Sequence, residues 1–146
     1  MKNVLICIDF TERTEWFIHK AISLVKPRSP KLWLLHVAAP EPDFVGYDVG
    51  PQYERDFRAE TLRTEHRMLQ EYSNRLKDEG FKAEGLLIAG PTLDIILEES
   101  KKLHIDLIIA GRQEHGFLHK LFFDSTSTGI IRRSDIPVLM IPLDMN

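Results

Sequence analysis

The 146-residue chain is poor in cysteine and glycine and has no long apolar run. One cysteine, Cys7, excludes an intrachain disulfide, which fits a reducing compartment. Lying within the apolar run Val4–Ile8, it reads as a buried core thiol rather than a reactive one. No apolar stretch approaches the ~18 residues that a membrane span requires. Met1-Lys2-Asn3 leads straight into an apolar strand, without the h-region and cleavage site of a signal peptide. A cytoplasmic protein with no membrane partner is therefore expected. Basic excess is missing too. With 19 Lys and Arg against 22 Asp and Glu, the net charge is −3. No basic stripe is clustered anywhere, so no nucleic-acid partner is expected. Repeats, low-complexity tracts and linkers are also absent. At 43% hydrophobic and 28% charged, residues 1–146 read as one ordinary globular domain.

What is present is an alternation of short apolar runs with helical patterns. Val4–Ile8 is continuous, partly β-branched and ended by Asp9, as expected of a parallel strand covered on both faces. Thr11 is placed to cap the next helix. Phe17, Ile18, Ala21, Ile22, Leu24 and Val25 recur at helical spacing, and Pro27 and Pro30 end that segment. Leu32–Val37 is a second strand. Gln52–Asp78 contains strong helix formers and no Gly or Pro. Its expected stripe is Phe57, Thr61, Thr64, Met68, Tyr72 and Leu76, polar in its first half, which should project beyond the sheet. Leu86–Ala89, Leu107–Ala110 and Val138–Ile141 complete five strands. Helices are expected from Leu93 to about His104 and from Ser125 to Arg133. The Pro40–Pro51 stretch, with three prolines and two glycines, is a long loop of the kind that is usually functional or mobile. Alternation of this kind predicts an open parallel five-stranded α/β sheet with helices on both faces.

The stretch richest in functional meaning runs from Asp106–Gly111 through a loop to the helix expected at Ser125. In α/β proteins, a loop that leads from a strand into a helix N-terminus is where phosphate binds. Here that loop carries Glu114 and Asp124. Asp9, at the end of the first strand, should lie with Gly111 at the point where the strand order reverses. Either it serves a ligand there or it caps the Thr11 turn. His115 and His119, four apart, lack the third ligand a metal site needs. His36 and His104 read as strand-end and helix-end residues. No Ser-His-Asp or Cys-His pairing and no general base stands out, so an enzyme is not expected.

Five segments in order resemble the universal stress protein family, over Asn3–Pro142. They are Val4–Asp9, Leu34–Val37, Gly90-Pro91 with Ile95-Ile96, Ile105–Gly111 and Pro137–Pro142. The resemblance implies a flavodoxin-like, adenine-nucleotide-α-hydrolase-like sheet of strand order 3-2-1-4-5, and a homodimeric regulatory or binding module in stress survival with an unknown protein partner. In nucleotide-binding members the residues matching Asp9 and Val37 contact adenine and ribose. Those members carry a signature of Gly, two residues, Gly, nine residues, Gly, then Ser or Thr. Counted from Gly111, this chain keeps Ser125 but has Glu114 and Asp124 where glycines should stand. It is similar in this to the branch typified by universal stress protein A, which lacks the signature and does not bind ATP.

The departure has a physical consequence. Glycines there allow positive φ and let backbone N–H groups approach phosphate. Two like unit charges ~5 Å apart at an effective dielectric of ~20 repel by roughly 3 kcal/mol, about a hundredfold in affinity. Asp124, placed as N-cap of a helix starting at Ser125, would also supply the protein's own anion. No cofactor is expected. The alternative is ATP or AMP held by Asp9, Val37, Ala110, Gly111, Ser125 and Thr126, with Mg²⁺ bridging Glu114 or Asp124 to the phosphates. The last strand, Val138-Leu139-Met140-Ile141, is an apolar edge in the expected order. An edge of this kind invites pairing with another chain, and in the family dimers form through it.

Overall fold

The computed structural model describes residues 1–38, 52–112 and 120–144, and of residues 52–54 and 120–126 the backbone alone. Ten segments follow in order: β1 (Asn3–Cys7), α1 (Thr14–Val25), a 3₁₀ turn (Lys26–Arg28), β2 (Lys31–Ala38), α2 (Gln52–Asp78), β3 (Ala83–Ala89), α3 (Thr92–Lys102), β4 (Leu107–Arg112), α4 (Lys120–Arg133) and β5 (Val138–Pro142). The strands form one parallel sheet in the order β3-β2-β1-β4-β5, as the alternation and the resemblance imply.

Period-2 alternation in the strands divides the core into two layers. Val4, Ile6, Leu32, Leu34 and Ile109 point towards α1 and α2, where they meet Phe17, Ile18, Ala21, Leu69 and Leu76. Leu5, Leu35, Ile108 and Ala110 point the other way, to Ile96 of α3 and Ile130 of α4. The central strands are covered on both faces, which is why their sequences are continuous apolar runs rather than alternating ones. At about 1.5–3 kcal/mol per fully buried aliphatic side chain, these two layers are the main source of stability.

Two expectations need correction. On α2, Phe57 is 72% exposed, whereas Leu69 and Ser73 are fully buried. Leu76 and Tyr72 of the expected stripe do meet the core and Phe57 lies in the half expected to project, but Leu69 and Ser73, outside the stripe, are the most buried. Gly85 on β3 makes room for Leu69. A Cβ there would lie 3.3 Å from the Leu69 carbonyl oxygen, so the absent side chain lets the helix seat Leu69 directly on the strand. The second correction concerns α4, which starts at Lys120 rather than Ser125. Lys120–Asp124 contains no Gly or Pro, and it extends the helix by more than a turn. Asp124 thus lies in the helix interior and is not an N-cap.

The turn after β1 is closed by a pair of threonines. The Thr14 hydroxyl donates to the Asp9 carbonyl at 2.7 Å and accepts from the Thr11 N–H at 2.8 Å. The Thr11 hydroxyl accepts from the Arg13 N–H at 3.1 Å. At the opposite end of the sheet, one oxygen of Asp106 accepts from the N–H groups of Lys2 and Asn3 at 2.7 and 2.9 Å. It ties the start of β1 to the start of β4.

Candidate functional site

In an open α/β sheet the ligand crevice lies beyond the carboxyl ends of the strands, where the strand order reverses. In this chain that point falls between β1 and β4. It brings together Asp9 after β1 and Ala110-Gly111 at the end of β4, with Val37 at the end of β2 one strand away. Ser125 and Thr126 lie within α4. Glu114, His115, His119 and the Pro40–Pro51 stretch lie outside the described residues.

The threonine pair decides one of the alternatives for Asp9. Its backbone carbonyl closes the turn, but the capping hydroxyls come from Thr11 and Thr14. The Asp9 carboxylate is not the cap, and it stays half-buried at the crevice mouth. Val37 packs against the layer formed by Leu5, Leu35 and Ile108, and Ala110 is buried beside it.

Gly111 is accounted for by packing. A Cβ built there would come within 2.7 Å of Leu143 Cδ1 and 3.1 Å of Leu143 Cγ. Leu143 follows β5, its N–H donates to the Arg112 carbonyl at 2.8 Å, and its side chain lies over Gly111. No positive φ is needed at this position; among the described glycines only Gly80 and Gly90 adopt one. Inside α4 the N–H groups from Asp124 onward point along the helix to carbonyls four residues back. The backbone donors at 125 and 126 are therefore engaged within the helix. Gly129 has a similar packing origin, since a Cβ there would meet Leu93 Cδ2 at 2.5 Å, so α3 and α4 approach closely.

His36 was not singled out by its sequence position. Nδ1 lies 2.8 Å from the Ile8 carbonyl oxygen, and Nε2 lies 2.8 Å from Glu65 Oε2. The ring packs on Phe10 with centroids 4.6 Å apart. Glu65 Oε2 is buried from water and makes no well-aligned hydrogen bond among the described residues; its close polar neighbour is His36 Nε2. This link fastens the middle of α2 to the ends of β1 and β2, immediately beside Asp9 and Val37. A signal was available in the sequence: His36 shares the inward register of Leu32 and Leu34, and a polar residue on a buried face needs a partner.

Cys7 packs against the second layer, and burial pushes its thiol up to about 12, as expected of a core thiol. Among the described residues no three His, Cys, Asp or Glu side chains gather as a metal site, and no helix is long and apolar enough to cross a membrane.

The outer edge of the sheet at β5 has a defined polarity. The Ile108 N–H donates to the Pro137 carbonyl, and the Leu143 N–H donates to Arg112. Odd-numbered positions of β5 therefore face β4, and Val138, Met140 and Pro142 turn their backbone groups outward. Pro142 falls where no ladder donor is lost. Leu139 and Ile141 pack with the first layer and Val138 and Met140 with the second.

Comparison with known proteins places this geometry. The family profile described as "Universal stress protein family" matches residues 1–142. Universal stress protein C of Escherichia coli (strain K12) is 27% identical over 143 residues, covering 97% of this chain and 95% of that protein. Universal stress protein UspA from Lactobacillus plantarum superposes with a TM-score of 0.74 at 17% identity, over 96% of this chain and 97% of the other. A universal stress protein family protein from Arabidopsis thaliana with AMP bound superposes with a TM-score of 0.66 at 18% identity, over 97% and 92%. At these identities the two structures speak for the fold.

Proposed function

Because the chain belongs to the universal stress protein family, we propose that it acts in the stress response as a homodimeric binding or regulatory module without tight ATP binding. It performs no catalysis of its own. The observation that carries the ligand half of this reading is Gly111. It is the one signature glycine retained, and Leu143 fills the space its missing side chain leaves. The other two signature positions are Glu114 and Asp124, which bring charge of the same sign as a polyphosphate. The dimer half is supported by β5, an apolar edge whose Val138 and Met140 backbone groups are directed outward. In this reading two copies pair along Val138–Ile141.

Two observations favour a second reading, a nucleotide-dependent switch. The Asp9 carboxylate is left out of the turn that the threonines close, and the Arabidopsis relative holds AMP. In that case Asp9 and Val37 meet adenine and ribose, and Ala110, Gly111, Ser125 and Thr126 complete the nucleotide site. Glu114 and Asp124 would share Mg²⁺ with the phosphates.

The double change Glu114→Gly with Asp124→Gly separates the two. If the acids are what exclude ATP, the variant gains at least about a hundredfold in ATP affinity over the parent chain. A parent that already binds ATP, and loses affinity in the variant only when Mg²⁺ is present, establishes the switch instead.

A further inference from the structure

The sheet has a second edge, at β3, that nothing above uses. Leu32 donates its N–H to the Lys82 carbonyl, and Gly90 donates to Ala38. In the parallel register of Leu32 opposite Ala83, even-numbered positions of β3 face β2. The N–H and C=O groups of Ala83, Gly85, Leu87 and Ala89 therefore point away from the sheet. Among the described residues no strand pairs with them.

Natural edges are usually guarded by proline, by inward-pointing charge, by a bulge or by shortness. β3 has none of these. It is seven residues long, contains no proline, and its one charge, Glu84, is held at 3.1 Å by Lys31. Leu86, Leu87 and Ile88 are all half-buried, so apolar surface remains on both faces of the strand. Beside its first half runs a groove of about 620 Å³, walled by Gln70, Lys77 and Phe81 on one side and by Lys31, Lys82 and Glu84 on the other. With Lys31 paired to Glu84, Lys77 and Lys82 leave this rim basic on a chain whose net charge is −3.

We infer that the β3 edge is a docking strip for an extended acidic segment of a partner protein, which adds to the sheet as a sixth strand. The outward amides and carbonyls at 83, 85, 87 and 89 supply the main-chain ladder. Alternate side chains of the guest share one face, so its apolar set extends the layer of Leu86 and Ile88. Its carboxylates, on the opposite face, meet the groove lysines Lys77 and Lys82. The inference stands apart from both the β5 dimer and the nucleotide crevice.

The test uses the full chain and a fluorescein-labelled eight-residue peptide alternating valine and glutamate, with a valine–lysine peptide as its counterpart. Anisotropy should show saturable binding of the glutamate peptide and none of the lysine peptide. The double surface change Lys77→Glu with Lys82→Glu should weaken binding by about tenfold or more. Hydrogen exchange should then slow at the amides of Gly85, Leu87 and Ala89, and stay unchanged at Leu86 and Ile88. No binding, equal affinity for the two peptides, or an unaffected double variant overturns the inference. So does a free protein in which the odd-numbered amides are already slow. A dimer that survives Leu139→Lys but is lost on Leu87→Pro would give the edge to a second copy of the chain instead.

Discussion

Removing the imidazole of His36 would strand the Ile8 carbonyl and take away the ring that lies 2.8 Å from the buried Glu65 oxygen. An unpaired buried carboxylate is costly, and a lost buried hydrogen bond adds about 1–3 kcal/mol. His36→Leu should therefore lower unfolding free energy in urea by about 3 kcal/mol, and adding Glu65→Leu should recover a good part of it. A single variant as stable as the parent would show that the link carries no weight. Asp106 provides a residue-scale test against pH. The N–H groups of Asn3 and Lys2 hold its carboxyl below its ordinary value of 3.8. Because the folded form favours the carboxylate, its contribution is fully present above the unfolded value and is lost as pH falls through the lower folded one. Asp106→Asn should be less stable than the parent at neutral pH, and the gap should close on acidification below about pH 4. A gap of the same size at pH 3 and pH 7 would contradict this.

At the scale of elements, the edge strand β5 makes a direct prediction. Leu139→Lys puts a charge among half-buried apolar side chains beside the outward groups of Val138 and Met140. Monomeric or insoluble protein is expected in sedimentation; a dimer with an unchanged dissociation constant would rule out pairing through this strand. The strands themselves were legible from sequence because burial on both faces leaves continuous apolar runs, and Val4–Ile8 and Leu107–Ala110 need no further information. The helix faces were less so. Phe57, Thr61 and Met68 keep a helical period as well as Leu69, Ser73 and Leu76 do. What selects the second set is Gly85 on another element, which no local pattern reveals. The start of α4 was missed for a related reason. Asp124-Ser125 has the chemistry of a cap, but Lys120–Phe123 offers nothing to stop the helix from starting earlier. At the crevice, the residue types at Asp9 and Gly111 could be read in the chain. That Thr14 relieves Asp9 of capping, and that Leu143 fills the space beside Gly111, depends on contacts made by side chains distant in sequence or placed by a turn.

For the whole molecule, the sheet offers three surfaces with separate chemistry: the crevice at the β1–β4 reversal, the β5 edge and the β3 edge. Among the described residues two of them are unpaired backbone ladders, as the proposed module working through other protein chains requires. The crevice keeps the fold's position for a nucleotide while its glycine positions are acidic or used in packing. Calorimetric titration of the intact chain with ATP and AMP, with and without Mg²⁺, tests this account most directly. The account predicts no saturable heat and no thermal shift at micromolar to sub-millimolar nucleotide. Micromolar binding of either nucleotide would contradict it and make the crevice a working switch.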